Sequence, residues 1–276
     1  MNKWSIILLF CLSPLAYSQT IVIAALDQRP VVDGVDKDWS SVSGVAIPVH
    51  PINTSYSSET TEVFLKAGHF EGEVFFYLSW KDRTENLIHK AWVWDESKKR
   101  YLMGPEREDR LAMQFEIEGE YSTDWANAND FKADMWHWKS SRSNPSGLAH
   151  DKFTILSRNK LLRAAAIPAA EGSKRYVLRK SDSGQPLYST KRYGQKQLDT
   201  MPKYELLQAK GSVADIQAKG IWQAGSWQLE LRRKLSTGND DDVQFELGKS
   251  YAGGIAVFNA SDNDDHLISD TLQFQF

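Results

Sequence analysis

Apolar residues at every second position, interrupted by short polar turns, constrain this chain more than any single motif. Glu62-Val63-Phe64-Leu65-Lys66-Ala67 and Glu73-Val74-Phe75-Phe76-Tyr77-Leu78-Ser79-Trp80 carry the pattern, and it returns over residues 110–117, 227–233, 255–258 and 271–276. A period of two sends successive side chains to opposite faces, so each segment is a strand with a face to bury. Turn clusters such as Lys234-Leu235-Ser236-Thr237-Gly238-Asn239-Asp240 separate the segments, and an all-β, antiparallel sandwich is expected. A short helix is expected only over residues 159–166. The polar stretch 181–201, with Gly184, Pro186 and Gly194, lacks alternation and reads as a long surface excursion. No fixed-period repeat or heptad is present, which removes solenoids and coiled coils.

The start of the chain places Lys3 before the apolar run 5–12 and ends that run before Ala16-Tyr17-Ser18, the pattern of an export leader. A signal peptide over residues 1–18 and a single periplasmic domain over residues 19–276 are therefore expected. A bilayer span needs about 20 apolar residues, roughly twice this run, so no membrane span is expected in the mature chain. Cys11, the only cysteine, falls in the leader. Loss of the leader leaves no thiol, and with it no disulfide, iron–sulfur cluster or covalently attached haem c. Lysine and arginine number 33 against 36 acids, without a basic block, so nucleic acid is not an expected partner.

Chemistry concentrates in Ala133-Asp134-Met135-Trp136-His137-Trp138-Lys139. Strand parity puts Met135 and His137 on one face and Trp136 and Trp138 on the other, so only one of these pairs can meet a ligand while the other fills a core. Met113 alternates with Leu111 and Phe115 and reads as core. Asp109 and Arg110 suggest a structural ion pair. The acidic loops 240–242 and 262–265 offer hard oxygen ligands without matching an EF-hand. Nucleotide-binding glycine loops, His-Glu-x-x-His and Gly-x-Ser-x-Gly are absent, and Gly248-Lys249-Ser250 reads as a turn, so no catalytic residues are assigned. An aromatic platform for a sugar, built on Trp92 and Trp94 or on Trp136 and Trp138, is one alternative to a cofactor site, and a structural or assembly role without a cofactor is another.

Five segments in order carry a family resemblance: residues 30–39 (Pro-Val-Val-Asp-Gly-Val-Asp-Lys-Asp-Trp), 74–82, 108–115, 133–142 with 145–149, and 225–235. Together they resemble the ethylbenzene-dehydrogenase-related haem-binding domains, a family that includes gamma subunits of periplasmic molybdenum enzymes and haem-binding domains of some cytochromes. The resemblance implies an immunoglobulin-like sandwich related to carbohydrate-binding modules, with long loops. It also implies a non-covalent haem b that passes single electrons to a partner such as a molybdenum oxidoreductase or a cytochrome, without catalysis of its own. In the dehydrogenase subunits the iron is similar to a methionine- and lysine-ligated centre. This chain departs from that pattern, because Asp265-His266-Leu267-Ile268-Ser269 stands where the lysine is expected, and residues 119–130 hold no Met, His or Cys. The candidate haem ligands are accordingly His266 with Met135, His137 or Met103. Lys139 and Arg142 are the candidates for the propionates, and Trp136 and Trp138 for stacking.

Overall fold

The computed structural model describes residues 18–52, 59–263 and 265–276. The expected leader lies outside the described residues except for Ser18, whose hydroxyl donates to the Thr271 carbonyl at 2.7 Å.

Two curved sheets are joined into one continuous ladder. The first runs Ala165–Pro168, Lys174–Ser181, His150–Ser157, Phe131–Lys139, Arg110–Gly119 and Ser250–Phe258. The second runs Glu62–Phe70, Glu73–Lys81, Ser226–Lys234 and Gln217–Gln223. Val45–Pro51 belongs to both: its first half pairs with Glu62–Phe70 and its last residues pair with Leu267–Ser269. Nearly all ladders are antiparallel, the exceptions being the short Gln19–Val22 and Ala24–Ala25 strands. The strands read from alternation are all present, and the fold is the expected all-β sandwich. The helix expected over residues 159–166 does not form. Leu162 is exposed there, and Ala165–Pro168 is recruited as an edge strand because its backbone finds partners in Lys174–Ser181. Among the described residues the only helical turns are short 3-10 segments.

The core lies between the sheets and is aromatic. Trp136 stands edge-on to Phe76 at 5.7 Å and to Phe115 at 5.1 Å, while Trp138 stands edge-on to Trp227 at 4.9 Å and to Trp80 at 6.0 Å. Close packing of such rings adds to their area burial. It also leaves no room elsewhere: a β-carbon on Gly220 would come within 2.3 Å of the Trp138 ring. Met113 is fully buried in the same core, as its alternation with Leu111 and Phe115 predicts.

Residues 181–201 run mostly exposed over the surface, as expected, and carry short ladders of their own. Tyr188–Thr190 pairs with Tyr204–Leu206, Thr200–Met201 pairs with Trp92–Asp95, and Leu187 is fully buried. With residues 84–108 these elements cover the outer face of the first sheet: the Ser140 hydroxyl donates to the Asn86 carbonyl, and Tyr188 packs on His150.

Candidate functional site

Because Trp136 and Trp138 occupy the core, the odd-numbered side chains of the same strand, Met135, His137 and Lys139, face away from it, under the covering loops. Register extends this face sideways. His137 lies opposite His150 on one neighbouring strand and Ala112 on the other, and Ala112 lies opposite Ala256. Lys139 lies opposite Arg110, which lies opposite Phe258. The floor is therefore small side chains, flanked by imidazoles, cations and one aromatic ring.

All four buried histidines, His89, His137, His150 and His266, gather on this side of the first sheet. His137 is 7 % exposed, and neither of its ring nitrogens has a hydrogen-bond partner. Its ring tilts over Phe258 at 5.8 Å, and His266 stacks on that same phenyl ring at 4.5 Å. Lys139 is 3 % exposed and shares a 2.7 Å hydrogen bond with His150 Nδ1, while His150 Nε2 lies 2.8 Å from the Ser181 hydroxyl. The Arg110 guanidinium covers Phe258 at 4.2 Å and donates to the Asn263 side-chain oxygen and the Ser261 carbonyl, both at 2.6 Å. Arg142 donates through Nε to Glu108 at 2.5 Å and sits over the rings of Tyr188 and Tyr204.

Burial and positive charge act together here. Burial first, then Lys139 and Arg110, holds the His137 pKa well below that of free imidazole, so the ring is neutral and its lone pair available. Burial, then Lys139 and Lys152, lowers His150, and burial with Arg142 and Arg110 lowers His89 to about 2. Burial, with Lys152 and Arg142 nearby, lowers Lys139 well below an ordinary lysine, and Lys152 is pushed down to about 8. Crowded cations with few carboxylates make a face that suits an anionic ligand.

The structure thus gathers Met135, His137, Lys139, Arg142 and His266 on one side of one sheet, and it separates three other candidates. Trp136 and Trp138 are core residues and cannot stack on anything bound opposite them; side-chain alternation decides this. Met103 is 52 % exposed, in a small sheet with Trp92–Asp95, and its sulfur accepts from Lys203 at 3.2 Å, so it is not brought to His137. The indole N–H groups of Trp92 and Trp94 donate to the Lys191 carbonyl and to Glu96, and Lys203 lies over the Trp92 ring at 4.9 Å. Asp109 and Arg110 form no ion pair: Asp109 accepts from the Asn86 and Ala260 amides and the Trp227 indole. His150, His89 and Tyr188 were not singled out by the sequence, because their approach depends on strand register and a returning loop.

A sequence profile of the ethylbenzene dehydrogenase family matches residues 36–268. No curated protein sequence matches the chain. Among solved structures, a family 9 carbohydrate-binding module from Caldicellulosiruptor kristjanssonii in complex with glucose is similar at 12 % identity and a TM-score of 0.42, over 92 % of this chain and 85 % of that one. A proposed carbohydrate-binding protein from Bacteroides uniformis is similar at 10 % identity and a TM-score of 0.45, over 92 % and 90 %. No helix among the described residues is long and apolar enough to cross a membrane.

Proposed function

This chain belongs to the ethylbenzene dehydrogenase family, and from that premise we propose that it is an exported, non-catalytic electron-transfer subunit holding one haem b beneath the loops that cover His137. The observation that carries the reading is His137 itself: a buried, neutral imidazole with both nitrogens unpartnered is costly unless a ligand or metal completes it. The residues around it fit the group. His266 or Met135 supplies a second soft or borderline donor, Phe258 and Tyr188 exclude water, and Arg110, Lys139 and Lys152 offer cations to two propionates. Attachment is non-covalent, because Cys11 is the only cysteine. Bound haem supplies one-electron transfer, and a molybdenum oxidoreductase or a cytochrome in the periplasm supplies the other half of the exchange.

Visible spectra of the exported protein, oxidised and dithionite-reduced, test this, with His137→Ala and His266→Ala alongside. A Soret band with sharp reduced α and β bands, lost or shifted in His137→Ala, is the expected result. A protein that stays colourless after haemin is added refutes the reading. Spectra unchanged in both variants refute the ligand assignment.

A further inference from the structure

A second cluster of chemistry lies in the interior, between the sheets and apart from the His137 face. Asp134 and Asp151 stand diagonally across adjacent strands and point inward, and Asp242 reaches them from the 240–242 loop; one carboxylate oxygen of each lies within 4.8 Å of the others. All three are buried. Arg233 enters from the opposite sheet and takes one side of the cluster, donating to Asp134 Oδ2 at 2.5 Å and to the Val243 carbonyl at 2.6 Å. Thr237 and Asn239 donate to Asp242 Oδ2. Lys152 N–H donates to Asp151 Oδ1 at 3.1 Å; Asp134 Oδ1, Asp151 Oδ2 and Asp242 Oδ1 have no hydrogen-bond partner, although Arg233 lies 3.6 Å from Asp242 Oδ1.

A fourth carboxylate supplies an independent sign. Asp182 follows the strand next to Asp151, donates its backbone N–H to the Asp151 carbonyl, and lies close enough for the charges of Asp134 and Asp242 to act on it. It is 5 % exposed, and neither oxygen has a conventional hydrogen-bond donor. Four buried carboxylates face one guanidinium, and each keeps at least one oxygen without a hydrogen-bond donor. Uncompensated negative charge of this kind is among the most expensive arrangements a protein interior can hold.

We propose that Asp134, Asp151, Asp182 and Asp242 form a site for a divalent cation of the calcium type. Hard carboxylate oxygens suit Ca²⁺, which takes six to eight of them at about 2.3–2.6 Å, and oxygens bound to one such ion lie about as far apart as those of Asp134, Asp151 and Asp242 do. Mg²⁺ is smaller and keeps several waters, which a buried four-carboxylate site does not favour. A cleft of ≈ 410 Å³ lined by Ser212, Asp215, Arg233, Thr237 and Asn239 adjoins the Asp242 side and gives an entry path. The second acidic loop is different: Asp262 is paired with Arg107 at 2.6 Å and with Lys90 at 3.5 Å. The ion would tie the 240–242 loop and the end of the Lys174–Ser181 strand to the centre of the first sheet.

The full exported chain, stripped with chelator and titrated with Ca²⁺, Mg²⁺ and Tb³⁺, tests the site. The expected result is a raised melting temperature with Ca²⁺, little effect of Mg²⁺, and Tb³⁺ luminescence sensitised through Trp136, the register partner of Asp151. The isosteric variants Asp182→Asn and Asp151→Asn should each weaken Ca²⁺ affinity about tenfold or more, the scale on which ligand charge tunes such sites. If either variant does not fold, the wild-type melts with and without Ca²⁺ still decide the matter. No Ca²⁺-dependent shift, or Tb³⁺ luminescence indifferent to Asp182→Asn, overturns the proposal and leaves shared protons as what holds the cluster together. Haem binding does not enter any of these readouts.

Discussion

Glu230 offers the sharpest quantitative test of how this fold is held. It is 1 % exposed on the Ser226–Lys234 strand; its Oε2 accepts from the Asp33 and Gly34 amides at 2.7 and 2.6 Å, and its Oε1 accepts from the Trp39 indole at 2.7 Å. One carboxylate thus fastens the 30–39 segment to the second sheet, with Gly34 at φ 84° letting the chain turn where a β-carbon would meet Ile221 at 2.9 Å. Glu230→Gln keeps the shape but turns an NH₂ toward one donor. If the amide oxygen serves the two backbone N–H groups, the Trp39 N–H faces another donor; Trp39 is itself 1 % exposed, so water cannot replace the lost acceptor. An unsatisfied buried donor costs about 1–3 kcal/mol, and hydrogen bonds to a charge about 1.5–3 kcal/mol. Burial raises the Glu230 pKa, so removing its charge returns part of that cost. The net expectation is a loss of about 2 kcal/mol, which for a chain of this size is a melting temperature lower by roughly 4–8 °C. Urea denaturation of both proteins, followed by tryptophan fluorescence, measures it. A midpoint unchanged, or shifted upward, refutes the claim that the carboxylate fastens this segment.

Two further outcomes follow from buried groups. Burial raises Asp109 to about 7 from an ordinary value of 3.8, with Asp82, itself raised to about 6, adding repulsion. The folded state then binds the proton more tightly than the unfolded chain, so this contribution is fully present below about pH 4 and is lost as pH rises to about 7. Melting curves between pH 4 and 8 should therefore show a smaller decline with rising pH in Asp109→Asn than in the parent, and parallel profiles would contradict the assignment. Gly220→Ala should destabilise by about 1–3 kcal/mol, because the added carbon overlaps the Trp138 ring and the core cannot relax around four packed indoles and phenyls; a neutral urea midpoint would show that it can.

Alternation in the sequence was enough to locate the strands at 62–70, 73–81, 110–119 and 226–234, since a side-chain period of two is a local property of an extended backbone. It also assigned Met135 and His137 to one face and Trp136 and Trp138 to the other, again from geometry within one strand. The indoles suited the core better than a face with His137 and Lys139, and the second sheet, bringing Phe76, Trp80 and Trp227, supplied that core. Met103 shows the converse, a residue whose type suits a ligand but whose strand pairs elsewhere. The short helix at 159–166 failed for a tertiary reason, because its apolar residues had nothing to pack on while a sheet edge offered hydrogen bonds. The approach of His150 and Tyr188 to Lys139, and of Asp134, Asp151 and Asp242 to one another, joins residues from distant parts of the chain. No spacing encodes such meetings. Local periodicity fixed which side each residue faces, and long-range pairing, whose register depends on burying both sheets at once, decided which of them meet.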